Sequence, residues 1–184
     1  MLEYSDNFVL QEAVEQHDVM ARLCKTAVNT MRLCVYRSPV DDVPRVTASI
    51  LRVGRDGSIV DNGHGGGRFT SINLQTGELG KYVTDQYGNK SDTWNGVNYS
   101  TETIQIPYWD EVKNFAVMIG EKVLHHRMLA LDVALSNEGK PILIEYNIDQ
   151  FSYWLFQYSG QTVFGTYTDE VIDFCRNRKV SKIL

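Results

Sequence analysis

The sequence predicts an α+β domain built on a mainly antiparallel sheet, with helices packed on one face. Strand-like runs rich in Val, Ile and Leu follow one another along the chain, and Gly, Asn and Asp mark turns between them. Helical periodicity is clear in few segments. Because strands joined by short connections pair antiparallel, one sheet with helices on a single side is the expected arrangement.

Length and composition agree with one soluble domain. The 184 residues suffice to bury a substantial core, and the 43% hydrophobic and 22% charged content is ordinary for a globular protein. A net charge of −5 argues against nucleic-acid or anionic-membrane partners. There is no apolar run of about 18 residues, no signal peptide and no C-x-x-C pattern, so we expect a cytoplasmic protein without a membrane partner whose cysteines are buried and reduced.

The first half of the chain alternates strand-like runs with polar connections. Residues 15–26 are expected to form a turn or short helix. The segment 85–105 is rich in Gly, Asn, Ser and Thr, which predicts a long loop. The strands predicted in this half are 7–14, 27–37, 45–53, 69–74 and 79–84.

Two helices are predicted in the second half. Within 109–127, apolar residues recur at the spacing of one helix face, and Pro107 ends the segment before it. Residues 167–177 form the second helix, with an acidic first turn.

Residues 129–135 and 141–147 predict a β-hairpin. The connection Ser-Asn-Glu-Gly-Lys contains Gly139, which is free to take positive φ. If the turn centres on Glu138 and Gly139, the register places Asp132 directly opposite Glu145.

Asp132, Glu145 and Asn147 are then predicted to share one face of the hairpin, because side chains alternate along a strand. Two carboxylates and an amide supply only oxygen ligands, the set that Mg²⁺ prefers. The alternative is a solvated polar face, although the residues around these three are apolar.

Arginines and glycines form a second group. Arg52 and Arg55 lie on or at the end of one predicted strand, and alternation points them to opposite faces unless Gly54 bends it. Arg32 lies on the preceding strand, and guanidinium groups suit phosphate. The alternatives are surface charges or ion pairs for the arginines and a flexible connection for the glycine-rich segment 61–68.

The spacing of the acidic hairpin resembles the magnesium triad of the ATP-grasp fold, in which an Asp is followed thirteen residues later by Glu and then, two further on, by Asn. Segments that resemble the rest of this fold follow in the same order over roughly residues 7–175. They are the hinge strand 7–14, the strand 28–32 with an inward Arg, the strand 50–55 and the Asn…Gly-Gly loop 60–67. Residues 164–173 resemble the sugar-transfer-associated branch, which is found with surface-polysaccharide genes.

The resemblance implies a role for each candidate residue. ATP is the implied nucleotide, with Mg²⁺ (or Mn²⁺) bound by Asp132, Glu145 and Asn147. Arg52 would lie nearest the terminal phosphate or acyl-phosphate, with Asn62 beside it as the second catalytic residue. Ribose would be held by Asp18, with Glu15 as an alternative. The remaining nucleotide-binding residues implied are Gln11, Glu12, Val14, Arg32 and Arg55.

The implied reaction is that of a carboxylate–amine ligase, in which ATP phosphorylates a carboxylate and an amine attacks the acyl-phosphate. A complete enzyme of this fold has a further subdomain before the hinge strand, which supplies lysines and a Gly-rich loop. We therefore expect residues 1–184 to be the C-terminal half without that subdomain. The alternative is a non-catalytic module that binds nucleotide weakly or completes a site in trans.

Loss of that subdomain would expose apolar surface, so we expect a homodimer that meets beside the hinge strand 7–14. The alternative is a monomer in which 109–127 and 85–105 cover the gap.

Overall fold

A computed structural model of the protein describes residues 12–58 and 66–177. Gln11, Asn62 and most of the predicted hinge strand lie outside these residues. The elements, in chain order, are α1 (Asp18–Leu23), β1 (Thr30–Arg37), β2 (Pro44–Val53), β3 (Arg68–Ser71), β4 (Val83–Thr84), β5 (Lys90–Ser91), β6 (Thr93–Trp94), β7 (Val97–Asn98), α2 (Trp109–Lys122), β8 (Met128–Leu135), β9 (Pro141–Asn147), α3 (Tyr153–Tyr158), a 3₁₀ turn (Gly165–Tyr167) and α4 (Thr168–Asn177).

Seven strands form one sheet in the order β5-β4-β3-β2-β1-β8-β9. Every pairing in it is antiparallel, which confirms the α+β class predicted from the sequence. Its centre joins β1 to β8, two strands far apart in sequence. A separate two-stranded sheet, β6 and β7, lies inside the predicted loop 85–105.

One face of the sheet carries the main hydrophobic core. Strand residues such as Leu33 and Leu131 meet α1 and α2 there. The predicted apolar stripe places Val112 and Ala116 of α2 in this core. Gly120 lets α2 approach closely, because a Cβ at this position would lie 2.9 Å from both Pro44 and Val35.

The second face is covered by α3, whose Leu155 and Phe156 pack on Cys34, Ile50 and Phe69. The expectation of helices on one face is therefore met by α1 and α2 but not by α3. A six-residue helix spans less than two turns, so its apolar residues cannot display a 3.6-residue period in the sequence.

Several predicted elements are shorter in the structure. The predicted helix 109–127 ends at Lys122, and the predicted strand 79–84 is reduced to Val83–Thr84. Within the two described ranges, no helix combines the length and apolar character needed to cross a membrane.

Candidate functional site

Asp132 pairs with Glu145 as predicted, and Ala130 pairs with Asn147. Between this pair and the turn the register differs by one residue from the predicted one, since Leu135 pairs with Pro141. The turn closes through a hydrogen bond from the Gly139 N–H to the Ser136 carbonyl of 2.9 Å. Gly139 has φ of +78°, a value that favours glycine. The turn therefore sets the pairing from Leu135 to Val133, and a shift beyond Val133 sets the pairing of Asp132 with Glu145.

A β-bulge changes the alternation in the middle of β9. Val133 pairs with Leu143 and Asp132 pairs with Glu145, so Ile144 is an extra residue. Leu143 packs against the main core on the first face. Glu145 instead lies opposite Asp132, and the bulge thereby lets β9 contribute to the core and to a polar group on the second face.

Asp132 is held by Arg32, its direct neighbour on β1. Arg32 donates from Nε to Oδ1 over 2.7 Å and from NH2 to Oδ2 over 2.6 Å. The side chains are 9% and 2% exposed, respectively. This is a buried bidentate ion pair, a geometry in which both partners have fixed positions.

Arg52 reaches the same carboxylate from β2, across β1. Its NH1 lies 3.1 Å from Oδ2 of Asp132, and its side chain is 14% exposed. Two of the three arginines predicted to contact the nucleotide, Arg32 and Arg52, thus converge on Asp132, the first of the predicted metal ligands. The sequence suggested each role separately but gave no sign that these three residues contact one another.

Glu145 and Asn147 form the outer part of this group. The Glu145 side chain is 57% exposed, and its Oε1 lies 3.7 Å from NH2 of Arg32. Asn147 donates from Nδ2 to Oε1 of Glu145 over 3.4 Å and to the Ala130 carbonyl over 3.3 Å. A hydrogen bond with the Asp132 carboxyl, followed by partial burial and the charge of Asp132, raises the pKa of Glu145.

The donor set is chemically suited to Mg²⁺. Glu145 presents a largely exposed carboxylate, and the Nδ2 contacts of Asn147 leave its Oδ1 as an acceptor. Asp132 differs, because both of its oxygens accept hydrogen bonds from arginine. In the part of the chain that the structure describes, no three His, Cys, Asp or Glu side chains are grouped to hold a metal, and the predicted set contains two carboxylates.

The residues predicted to hold adenine and ribose lie elsewhere. Glu12 is exposed and Val14 half-buried, in a segment without regular structure. Asp18 is exposed and begins α1, which packs on the face opposite Asp132. Arg55 is exposed beyond the end of β2, so the structure does not bring it into the Asp132 group. Their roles remain predictions.

A buried polar group that the sequence analysis did not identify supports the end of β2. Asn29 donates from Nδ2 to the Met20 carbonyl over 2.7 Å and accepts from the Gly54 N–H over 3.2 Å. The Oε1 of Gln16 accepts from the Asn29 backbone N–H over 3.0 Å. The one available signal is an Asn at the start of an apolar strand. This network fixes the backbone two residues beyond Arg52.

A cavity of about 620 Å³ lies apart from this group, lined by residues 71–75, 78–81 and 159–162, together with Thr47 and Gly165. The Asp132 group lies instead on the second face of the sheet, with Glu145 exposed. We call this group the ledge; it consists of Arg32, Arg52, Asp132, Glu145 and Asn147. We assign the candidate site to the ledge, because the charged side chains converge there.

Comparison with known proteins identifies a family. A family model described as sugar-transfer associated ATP-grasp matches residues 2–171. Searches of the curated proteins and of the solved structures gave no match.

Proposed function

The chain belongs to the sugar-transfer-associated ATP-grasp family, and on that premise we propose that it provides the ATP- and magnesium-binding part of a carboxylate–amine ligase. In the proposed reaction a substrate carboxylate attacks the terminal phosphorus of ATP, and ADP leaves. An amine then attacks the acyl-phosphate carbon, which yields an amide and releases inorganic phosphate. We place this reaction in surface-polysaccharide assembly in the cytoplasm, and the family description supports the association with sugar transfer.

One observation carries this proposal: Glu145, Asp132 and Arg32 form a cross-strand row, with Arg52 and Asn147 beside it. Oxygen ligands for a cation and guanidinium donors for phosphate therefore share one ledge. Proteins of this fold generally bind ATP and Mg²⁺. The ledge offers complementary groups for both.

Each group has a distinct proposed role. Glu145 presents its carboxylate toward solvent, where a nucleotide-bound cation would approach, and the half-buried Asn147 lies beside it. Arg52, at the end of β2, is the donor for the terminal phosphate oxygens, with Asn62 of the glycine-rich segment as a second donor. Glu145 and Asn147 would hold Mg²⁺, which would supply positive charge against the charge that develops during phosphoryl transfer.

Calorimetry with Mn²⁺ and a non-hydrolysable ATP analogue tests this function. Glu145→Gln removes a carboxylate from an exposed position, and we expect the affinity for Mn²⁺ with the analogue to fall by about tenfold or more. Glu138→Gln is the matched control, because Glu138 is an exposed glutamate at the other end of the same hairpin. Equal affinity in wild type and Glu145→Gln would contradict the proposal.

A further inference from the structure

The cavity of about 620 Å³ opens beside β2, where β3 ends at Ser71. On one side the chain closes a turn over residues 73–78. On the other side Gln161 is fixed, because its amide forms hydrogen bonds with the backbone of Ser49 and Ile72. Both sides are thus held in place by the fold, and the volume lies in the range of small-molecule sites.

Uncharged polar side chains are the commonest kind in the lining. Those with hydroxyl or amide groups include Thr47, Ser71, Asn73, Gln75 and Thr162. Asn73 uses Oδ1 to accept from the N–H groups of Gln75 and Thr76, which leaves its Nδ2 as a donor. Hydroxyl groups both donate and accept. The lining therefore suits a ligand that carries several groups of the same mixed character.

The charged side chains of the lining neutralise each other. Nζ of Lys81 lies 3.0 Å from Oε1 of Glu78. These two are the charged residues among the described residues that line the cavity. A phosphate or carboxylate would have to leave water without an unpaired cation to receive it, which is unfavourable. The cavity therefore favours a neutral ligand.

Thr47 is the extra residue of a β-bulge in β2. Cys34 pairs with Ala48 and Val35 pairs with Val46, so Thr47 has no counterpart on β1. Thr47 is 8% exposed, and its Oγ1 has no hydrogen-bond partner in the part of the chain that the structure describes. A buried hydroxyl without a partner is unfavourable, and bulges are frequent where a side chain is redirected toward a site. A hydroxyl group of a ligand in the cavity would supply the partner.

The cavity and the ledge lie on one sheet. Asp132, Arg32, Ile50 and Ser71 form a cross-strand row, in which Ile50 is covered by α3. Two strand spacings, about 10 Å, separate Arg32 from Ser71. A ligand in the cavity would therefore lie close to the ledge without contacting its arginines.

We propose that this cavity binds an uncharged saccharide, with Thr47 and Thr162 forming hydrogen bonds to its hydroxyl groups. A sugar ring is neutral and carries several hydroxyl groups that donate and accept, which matches the lining. The shared chemistry is a neutral hexopyranose ring, either free or as one unit of a longer saccharide. Binding there requires no nucleotide or metal at the ledge, so the inference goes beyond the proposed function.

Nuclear magnetic resonance of the isotope-labelled protein, without nucleotide, tests the proposal. The probes are methyl glucopyranoside, methyl galactopyranoside, methyl mannopyranoside and N-acetylglucosamine, with maltose to distinguish a single ring from a longer saccharide. We expect at least one of them to shift the amide resonances of residues 71–81 and 159–162 saturably in the millimolar range. If no probe does so, the proposal is wrong.

Thr47→Val and Thr162→Val each remove one hydroxyl from the lining and keep the shape of the side chain. Each should raise the Kd of the sugar about two- to twelvefold, the equivalent of one hydrogen bond. Thr47→Val should not lower the unfolding free energy, because the hydroxyl that it removes has no partner in the described chain. Thr93→Val is the matched control, since Thr93 is exposed and outside the lining, and it should bind as wild type. Equal affinity in wild type and in both cavity variants would place the sugar elsewhere and overturn the proposal.

Glu78→Gln tests the neutral character of the lining, because it removes the partner of Lys81. Wild type should bind the best neutral sugar more tightly than glucuronate. The variant should reduce that preference, most clearly at low ionic strength. A wild type that prefers glucuronate, or a preference that the variant does not change, would contradict the charge argument.

The two proposals fail separately. Sugar binding at the cavity, together with no binding of Mn²⁺ and the ATP analogue, would refute the proposed function and leave the saccharide site standing. Binding of Mn²⁺ and the analogue without any sugar binding would refute the saccharide site alone.

Discussion

Gly139 lies directly against the ring of Tyr108, so that a Cβ at position 139 would sit 2.3 Å from Cε2 of that ring. Gly139 is the turn residue of the hairpin that presents Asp132 and Glu145. Tyr108 immediately precedes α2. The contact thus links the first turn of α2 to the hairpin of the candidate site.

Gly139→Ala should lower the free energy of unfolding by about 2–4 kcal/mol, through positive-φ strain and overpacking together. Gly96→Ala is the matched control, because Gly96 also has positive φ (+76°) but no atom lies within 4 Å of the added Cβ. That variant should lose about 1 kcal/mol. Urea denaturation measures both, and equal losses would show that the Tyr108 contact contributes nothing.

Asp132→Asn should destabilise the protein strongly. The change leaves the guanidinium groups of Arg32 and Arg52 beside a neutral amide, and the loss of one partner of a buried ion pair costs about 3–5 kcal/mol. Glu145→Gln, on the exposed side of the same group, should stay within about 0.5 kcal/mol at neutral pH. Chemical denaturation measures the unfolding free energy of both variants. Similar losses would contradict the inference that the burial of Asp132 makes its ion pairs important for stability.

The pH dependence of stability should identify Glu145. The pKa of Glu145 in the folded protein is raised above the ordinary 4.5, so folding favours its protonated form. The stability that wild type gains from this is fully present below pH 4.5 and is lost as the pH rises through the folded-state pKa. Glutamine does not titrate. The unfolding free energy of Glu145→Gln minus that of wild type should therefore be more positive at about pH 7 than at about pH 4. The effect is small, because the side chain is largely exposed, and a difference of opposite sign would contradict the raised pKa.

The three cysteines should differ in reactivity toward a thiol reagent. Cys24 and Cys34 are buried, and burial raises the pKa of the Cys34 thiol to about 12, so little nucleophilic thiolate forms. Cys175 is exposed on α4, which corrects the expectation that it is buried. We expect one fast-reacting thiol in the native protein and three after unfolding. Cys175→Ser should remove the fast phase, and a second fast thiol would contradict the buried positions.

Local sequence patterns predicted the part of the candidate site that lies on one hairpin, but not the contacts between strands far apart in sequence. The pairing of Asp132 with Glu145 was predicted from alternation and a glycine turn, both contained in nineteen consecutive residues, but in the structure it also depends on a bulge. The bulge at Ile144 was not predictable, because no residue marks it. The convergence of Arg32 and Arg52 on Asp132 depends on the order β2-β1-β8, in which β1 pairs with a strand about a hundred residues away.

The prediction of the fold was likewise limited to elements with a local sequence pattern. The α+β class followed from strand-like runs and the helix at 109–127 from periodicity, although that helix ends at Lys122, whereas α3 was too short to display any period. Its position depends on buried contacts with β1, β2 and β3. The predicted nucleotide contacts of Gln11 and Asn62 lie outside the described residues and remain predictions, as does the expected homodimer beside strand 7–14.

Gln161, in the segment after α3, forms side-chain hydrogen bonds with the backbone of the central sheet. Its Oε1 accepts from the Ser49 N–H over 3.0 Å, and its Nε2 donates to the carbonyls of Ser49 (2.7 Å) and Ile72 (3.1 Å). Gln161→Glu keeps the acceptor but places a carboxylate oxygen against two carbonyl oxygens. We expect a loss of about 3 kcal/mol in unfolding free energy at neutral pH, because the carbonyls of Ser49 and Ile72 each lose one of two donors and face a negative charge. The loss should shrink at low pH, where the introduced carboxyl is protonated and again donates.

Gln157→Glu, on an exposed position of α3, is the matched control, and its unfolding free energy should stay within about 0.5 kcal/mol of wild type. Urea denaturation of both variants at neutral and acidic pH decides the matter: equal losses, or a loss at position 161 that does not depend on pH, would show that the amide does not hold α3 on the sheet.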